Sequence, residues 1–230
     1  MSSSWERNFR GNGLIAAVLF LAGYIVYGIQ PKVGVTATKL VSFYDGDRTR
    51  ILVSAVIFGF AVLCLMWFSV ALASELRDNG KGGWGTAAVA AGAAFGVVFI
   101  VLTALRAGLA YSITGAGNTP VTSALNDLQW VLRVIGWFPI AMLVMAGSFG
   151  LWRAGSISNG AFAAGAAALA LVLLGTTTWA THGFWAPDGA YARVVPAAVM
   201  LIWIAAVSVF LTRNSPATLT TQNPMAIPAA

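Results

Sequence analysis

The chain has 230 residues, of which 59% are hydrophobic and only 9% are charged, and its mean hydropathy is +0.82. Water-soluble domains carry about 25% charged residues, so the composition excludes an ordinary soluble protein and predicts an integral membrane protein. The net charge of +6 comes from single Lys and Arg residues beside apolar runs, a pattern typical of membrane-flanking charge and not of a nucleic-acid surface.

A helix needs roughly 20 apolar residues to cross a bilayer, and six apolar segments of the chain are long enough. They occupy residues 13–29, 51–73, 86–109, 128–152, 161–181 and 194–212. We therefore predict an all-α fold, a polytopic transmembrane bundle of six spanning helices over residues 13–213. Residues 1–12 form the expected cytoplasmic N-terminus. Residues 214–230 are rich in Pro, Thr and Ala without periodicity, which predicts a disordered cytoplasmic tail.

The expected orientation follows from the Lys and Arg residues of the loops, which are more frequent on the cytoplasmic side. With the N-terminus inside, that side holds Arg7, Arg10, Arg77, Lys81, Arg153 and Arg213. The outer side then holds Lys32, Lys39, Arg48, Arg50 and Arg193. The bias becomes clear when the first outer loop is set aside, because Asp45 and Asp47 stand beside its arginines. We expect both termini inside a bacterial cytoplasmic membrane, N-in and C-in.

The first outer loop, residues 31–50, is expected to be an interfacial segment and not plain coil. Leu40, Val41 and Tyr44 share one face at helical spacing, and Thr36 is placed to cap a helix before them. Such a helix would lie on the outer membrane interface and turn at Gly46 into the second span.

Polar residues that are expensive to bury collect toward the predicted outer side. A charge at the centre of a bilayer costs roughly 2.5–3.5 kcal/mol on insertion scales, and the predicted spans contain two basic residues, Arg106 and Arg133. Asp127 is expected to pair with Arg106. Together these residues suggest an outward-facing vestibule, with Trp130 and Trp185 as further lining. Its candidate ligand-binding residues are Arg106, Asp127, Arg133, His182, Asp188, Arg193, Asp45, Asp47, Tyr111 and Gln129.

A simpler interpretation of the same residues stays open. Arg106 and Arg133 are each one or two turns from an interface, so each side chain can reach the headgroups separately. Asp127 stands near a helix N-terminus, where a carboxylate is favourable without any partner.

Small residues at helical spacing predict close helix packing in lipid. Ala88, Gly92 and Gly96 are four residues apart, as are Ala161 and Gly165. These faces are expected to pack within the bundle, and packing against another membrane subunit or a second copy is the alternative. Membrane lipids are the other expected partners.

Several chemistries are excluded by residue counts. One cysteine, Cys64, and one histidine, His182, exclude a disulfide framework, a bis-histidine haem and a multi-histidine zinc centre. Lys32, Lys39 and Lys81 lie in predicted loops, which argues against a retinal Schiff base. We expect no cofactor, no metal and no catalytic residue, although a His182–Asp188 acid–base pair is conceivable.

Two short runs resemble a known group of proteins. Residues 41–51, VSFYDGDRTRI, and residues 124–128, ALNDL, are similar to runs in uncharacterised multi-pass membrane proteins of high-GC Gram-positive bacteria, which are grouped under domains of unknown function. The resemblance covers most of the chain except the tail. It implies a six-helix bacterial membrane protein and assigns no catalytic residue.

Three functions remain open from the sequence. The leading expectation is a non-enzymatic accessory, anchoring or scaffold component of a membrane assembly. The second is a transporter-like protein, or one that binds a lipid or another hydrophobic ligand in the outer vestibule. The third is an intramembrane enzyme that depends on His182.

Overall fold

A computed structural model describes residues 3–213, with side chains from residue 9. The predicted disordered tail, 214–230, and the side chain of Arg7 lie outside the described residues. Within the described range all regular structure is helical, which confirms the all-α prediction. The helices are α1 Ser3–Tyr27, α2 Ala37–Tyr44, α3 Arg48–Asp78, α4 Gly82–Gly108 with a π-helical turn Leu109–Ile113, α5 Thr119–Ile135, α6 Trp137–Arg153, α7 Asn159–Gly175 and α8 Ala190–Arg213.

Five helical stretches are long and apolar enough to cross a membrane. They are α1 from Phe9, α3, α4 with its π-helical turn, α5 with α6, and α8. The sixth apolar helix, α7, is shorter, at 17 residues. These helices make the chain a multi-pass helical membrane protein.

The bundle has two ends, which we name after one arginine each. At the Arg10 end, Arg10 of α1 forms a salt bridge of 3.1 Å with Glu75 of α3, and the backbone N–H of Leu14 donates to Ser208 Oγ of α8 at 3.0 Å. Gly150, near the end of α6, lies against Leu76 of α3. The opposite end, the Arg106 end, contains the end of α4, the helix α2 and the starts of α3, α5 and α8.

Four phenylalanine rings fill the centre between α1, α3 and α4. Phe20 meets Phe99 edge-on with ring centroids 5.1 Å apart, and Phe58 meets Phe99 edge-on at 5.2 Å. Phe95 packs against Phe20 at 6.1 Å. Each such pair contributes about 0.5–1.5 kcal/mol beyond burial alone, so this core holds the three helices in a fixed arrangement beneath the Arg106 end.

The fourth predicted span, 128–152, differs in the structure because it consists of two helices. The helix α5 begins nine residues earlier, at Thr119, where Asn118 Oδ1 accepts a hydrogen bond from the Val121 N–H at 3.3 Å. It ends at Ile135, and α6 begins after Gly136. Pro139 has no N–H to donate to the Ile135 carbonyl, so the helical hydrogen-bond ladder is interrupted at this point.

The fifth predicted span, 161–181, is too long at its C-terminal end. The helix α7 ends at Gly175, and the hydroxyls of Thr176, Thr177 and Thr178 each donate to the carbonyl three residues earlier at 2.7–2.8 Å. These side chains satisfy the last carbonyls of the helix and therefore compete with its continuation.

The small-residue face of α4 packs inside the chain. A Cβ added to Gly92 would collide with Ser69 of α3, and one added to Gly96 would lie 3.2 Å from Val62. On α7, Gly165 lies against Ser148 of α6, whereas Ala161 is exposed. Close approach of α3 and α4 therefore explains the spacing on α4.

The outer segment forms the helix α2 and packs on the bundle. Leu40 and Tyr44 are buried, and Val41 is 36% exposed. Thr36 stands at the N-terminal cap position, although its side chain makes no capping hydrogen bond. Because Tyr44 points inward from α2, this helix delivers a phenol to the site described next.

Candidate functional site

Three arginines from three helices line one cavity at the Arg106 end. Arg106 of α4, Arg133 of α5 and Arg193 of α8 border a space of about 350 Å³, which we call the arginine pocket. Arg106 is only 2% exposed. The other lining residues are Tyr24, Tyr27, Gly28, Ile29, Gln30, Trp130, Val194 and Ala197.

Arg106 turns into the bundle and does not reach toward headgroups. Its guanidinium carbon lies 4.4 Å from the ring centroid of Tyr27 and 5.6 Å from that of Phe58. Its Nη2 donates to Gln30 Oε1 at 3.4 Å. The faces of two aromatic rings therefore provide most of the electrostatic support that the protein offers this charge.

Arg133 and Arg193 share the indole of Trp130. Their guanidinium carbons lie 5.4 Å and 4.9 Å from its ring centroid. Arg133 Nη2 donates to the Arg193 carbonyl at 2.8 Å, and Arg193 Nη2 donates to the Gln30 carbonyl at 3.4 Å. Trp130 is itself fixed because its Nε1–H donates to the Pro31 carbonyl at 3.0 Å.

A chain of buried hydrogen bonds runs from Arg106 to the outer segment. Gln30 Nε2 donates to Gln129 Oε1 at 3.3 Å, and Gln129 Nε2 donates to Tyr44 Oη at 3.1 Å. The Tyr44 hydroxyl donates to Asn126 Oδ1 at 2.9 Å, and Asn126 Nδ2 donates to the Lys32 carbonyl at 3.2 Å. The chain joins the loop after α1, α2 and α5, and so holds one wall of the pocket.

The electrostatic environment of Tyr44 keeps its hydroxyl protonated. Burial raises the pKa of Tyr44 well above its usual value, and the neighbouring Tyr27 raises it further. A neutral phenol can donate to Asn126 and accept from Gln129 at the same time. Every hydrogen bond of the chain, from Arg106 to the Lys32 carbonyl, therefore runs in the same donor-to-acceptor direction.

The pocket carries excess positive charge. Among the described residues, no Asp or Glu lines the cavity, and none forms a salt bridge with its three arginines. Arg106 Nε and Nη1, Arg133 Nε and Arg193 Nε are buried and donate to no described residue. Asp188 attracts Arg193 from outside the cavity, while its Oδ2 accepts from the Val33 N–H at 3.3 Å.

The other predicted vestibule residues are not brought into the pocket. The expected Arg106–Asp127 ion pair does not form within the described part of the chain. On α5, Asn126, Trp130 and Arg133 occupy one face, which leaves Asp127 about 100° away around the helix. Asp127 is half-buried and accepts from Asn126 Nδ2 at 3.2 Å.

His182 and the acidic loop residues also lie outside the arginine pocket. His182 is exposed and its Nδ1 contacts Thr181 Oγ1 at 2.9 Å. Asp188 accepts from the Val33 N–H, and it forms no hydrogen bond with His182 among the described residues. Asp47 bonds to Arg50 at 2.6 Å. Asp45 is exposed.

Two predicted aromatic residues of the vestibule lie elsewhere as well. Tyr111 is 64% exposed, and the Arg48 guanidinium carbon lies 5.1 Å from its ring centroid. Trp185 Nε1 donates to the Thr177 carbonyl at 2.9 Å.

Sequence reasoning missed several polar residues of the site. Gln30, Tyr27, Tyr44 and Asn126 do not carry a charge and therefore attract no attention as buried ions. One signal was available: Asn126, Gln129, Trp130 and Arg133 follow the i, i+3, i+4, i+7 spacing of one helix face. That spacing indicates a polar stripe facing the bundle.

Comparison with known proteins finds no match for this chain, either among family models, among curated proteins or among solved structures.

Proposed function

We propose that this protein is a non-enzymatic, multi-pass membrane protein that binds an anionic ligand in the arginine pocket. The observation that carries the proposal is the convergence of Arg106, Arg133 and Arg193 on one cavity that no described Asp or Glu lines. Guanidinium groups bind carboxylate and phosphate oxygens through directed N–H groups, and four such nitrogens donate to no group in the described part of the chain.

Energetics support a missing counter-charge. Removing an ion from water into a protein interior costs several kcal/mol even after relaxation. A cation–π contact returns about 0.5–2 kcal/mol, and like charges nearby add repulsion. The ring contacts of the three arginines therefore offset only part of the cost, and an anion bound between them would supply the remainder.

Thermal unfolding of the detergent-solubilised protein tests the proposal. We expect dodecyl phosphate and inorganic pyrophosphate to raise the unfolding midpoint, because a ligand that binds only the folded state stabilises it by about 2.7 kcal/mol at 100 times its Kd. Dodecyl maltoside of the same chain length, which has no charge, should give no such rise.

Charge-removing variants complete this test. Arg106→Gln and Arg133→Gln should lose the response to both anions, whereas Arg77→Gln should keep it, because Arg77 is exposed at the Arg10 end. Equal stabilisation of wild type and both pocket variants would show that the anions bind elsewhere and would refute the proposal.

We also propose six membrane crossings with both termini in the cytoplasm of a bacterial cell. The helix α7 serves as the additional crossing, since it runs from the Arg10 end beside Ser148 to the level of Pro196 near the start of α8. The charge distribution supports the Arg10 end as the cytoplasmic one: Arg193 is drawn into the pocket and Arg50 is paired with Asp47, so neither acts as a free outer-loop charge.

A second candidate function is an accessory or scaffold role in a membrane assembly. The observation that favours it is the exposed face of α7, where Ala161, Ala164 and Ala167 are not covered by any described residue. Light scattering after purification in mild detergent tests this role. A dimer or larger assembly that Ala164→Trp dissociates would support it, and a lone monomer without a co-purifying chain would contradict it.

A further inference from the structure

The arginine pocket points to a more specific ligand: we propose that it takes a membrane amphiphile whose headgroup is a phosphate monoester or a diphosphate, entering sideways from the bilayer between α1 and α8. This inference rests on the proposed function and adds the charge of the ligand and its route. Three features of the pocket carry it, namely its charge balance, its volume and the character of its mouth.

The charge balance indicates about two negative charges on the ligand. The pocket holds three guanidinium groups, from Arg106, Arg133 and Arg193. Asp188 attracts Arg193 from outside the cavity, and no described carboxylate forms a salt bridge with any of the three, so about two positive charges remain without a counter-charge. A phosphate monoester carries about −1.5 to −2 at pH 7. A phosphodiester carries a single charge, so it would leave one arginine unbalanced.

The volume of the pocket fits such a headgroup. A cavity of about 350 Å³ is within the range of roughly 300–1,000 Å³ that is typical of small-molecule pockets, and is more than a single small ion needs. The free donors come from three different directions, because Arg106 is on α4, Arg133 on α5 and Arg193 on α8. A tetrahedral phosphoryl group has oxygens in several directions and can accept from all three.

The mouth of the pocket is apolar and exposed on the side of the bundle. Ile29 and Val194 line the cavity and are 82% and 61% exposed. The exposed apolar surface continues down both helices, through Ile25 on α1, 72% exposed, and Ile202 on α8, 69% exposed. A hydrocarbon chain attached to the headgroup would therefore remain in the membrane along these two helices while the phosphate sits among the arginines.

The backbone leaves little freedom at this mouth. Gly28 lines the pocket with φ of +79°, a conformation that other residues rarely adopt. A Cβ at this position would lie 3.3 Å from the Arg50 guanidinium, whose charge is already matched by Asp47 at 2.6 Å. Arg50 therefore borders the pocket without adding to its excess charge.

Binding measurements with lipids of equal chain length test the headgroup. In dodecyl maltoside, microscale thermophoresis should show that phosphatidic acid binds at least tenfold more tightly than phosphatidylglycerol, and that phosphatidylcholine does not bind. Arg106→Gln and Arg133→Gln should weaken phosphatidic acid binding at least tenfold, and Arg77→Gln should leave it unchanged. If Arg106→Gln does not fold, Arg193→Gln replaces it, since Arg193 is only partly buried.

A second pair of variants tests the lateral route. Val194→Trp fills the mouth and should weaken phosphatidic acid binding at least fivefold while leaving inorganic pyrophosphate binding unchanged. Val97→Trp, at an exposed apolar residue of α4 that does not line the pocket, should change neither.

The outcomes separate this inference from the proposed function. Equal affinity for phosphatidic acid and phosphatidylglycerol would overturn the doubly charged headgroup. Inorganic pyrophosphate binding as tightly as phosphatidic acid, with no effect of Val194→Trp, would identify a soluble anion and overturn the lipid route. In both cases the proposed function, binding of an anion in the arginine pocket, would remain supported. Affinities that do not change in the arginine variants would overturn both.

Discussion

At the scale of single residues, the pocket depends on uncharged groups that position the charges. Tyr44 accepts from Gln129 and donates to Asn126, so its hydroxyl connects the two amides of α5. We expect Tyr44→Phe to destabilise the protein by about 1–3 kcal/mol, because two buried polar groups lose their partner. The midpoint of unfolding in detergent measures this loss.

Tyr111→Phe is the matched control for that change. Tyr111 is 64% exposed, so removing its hydroxyl should alter stability by less than about 0.5 kcal/mol. Equal midpoints for Tyr44→Phe and wild type would show that the buried chain of hydrogen bonds does not hold the outer segment in place.

The raised pKa of Tyr44 gives a pH dependence with a definite sign. Its pKa is higher in the folded state than in the unfolded chain, where it is about 10. Its contribution is therefore complete below about pH 10 and is lost above it, by about 1.4 kcal/mol per pH unit. Unfolding of wild type and Tyr44→Phe between pH 8 and pH 11 should give a stability difference that narrows above pH 10. A constant difference across this range contradicts the assignment.

At the scale of helices, the contact between α3 and α4 depends on the absence of a side chain at Gly85. A Cβ there would lie 2.8 Å from the Ala73 carbonyl oxygen and 3.1 Å from the Ala73 Cα. Because these atoms belong to the backbone of α3, the helices would have to separate. We expect Gly85→Ala to destabilise the protein by about 1–3 kcal/mol, measured as a lower unfolding midpoint.

Gly83→Ala gives the control in the same turn of α4. A Cβ at Gly83 meets no atom within 4 Å, so this change should leave stability unchanged or raise it slightly through helix propensity. A similar loss in both variants would mean that the α4 terminus, and not the contact with α3, is sensitive.

The helix ends show which parts of the fold the sequence predicts. Apolar length predicts α1, α3, α4 and α8 well, because each has to match the thickness of a membrane. It does not reveal the break at Gly136, although Pro139 itself predicts a kink here because it removes one hydrogen bond inside a continuous apolar run. It also overestimates α7, since Thr176–Thr178 look compatible with a span until their hydroxyls are seen to bind the preceding carbonyls.

At the scale of the whole molecule, the candidate site could be predicted only in part. Arg106, Arg133, Arg193 and Gln129 stand out because polar residues near spans are expensive and therefore informative. Asp127 stands out for the same reason and yet lies elsewhere, because sequence position gives depth along a helix but not the direction around it. The direction depends on which face of α5 meets α4, and that is decided by packing. His182 lies in the loop after α7, where helical spacing predicts no position.

Chemical labelling tests the proposed orientation of the whole chain. Cys64→Ala gives a background without cysteine, since Cys64 is the single cysteine of the sequence. A membrane-impermeant maleimide applied to intact cells should label Lys39→Cys and Thr181→Cys, because both positions are exposed near the Arg106 end. Labelling of Arg77→Cys and Arg153→Cys should require permeabilised cells.

The same experiment examines α7 alone. Arg153 and Thr181 flank this helix, so labelling of both positions from the same side would show that α7 does not cross the membrane. If Arg77→Cys and not Lys39→Cys were labelled in intact cells, the orientation would be the reverse of the one proposed.

The short helix α7 has a consequence for the surrounding membrane. Its 17 residues give a length of about 25 Å, which is less than the hydrocarbon thickness of about 30 Å. As the proposed sixth crossing, α7 requires the lipids next to it to shorten or tilt so that its ends stay at the interface, and this hydrophobic mismatch costs a fraction of a kcal/mol per Å. The protein should therefore be most stable in bilayers of shorter acyl chains, so that membrane thickness itself becomes a variable to which the bundle responds.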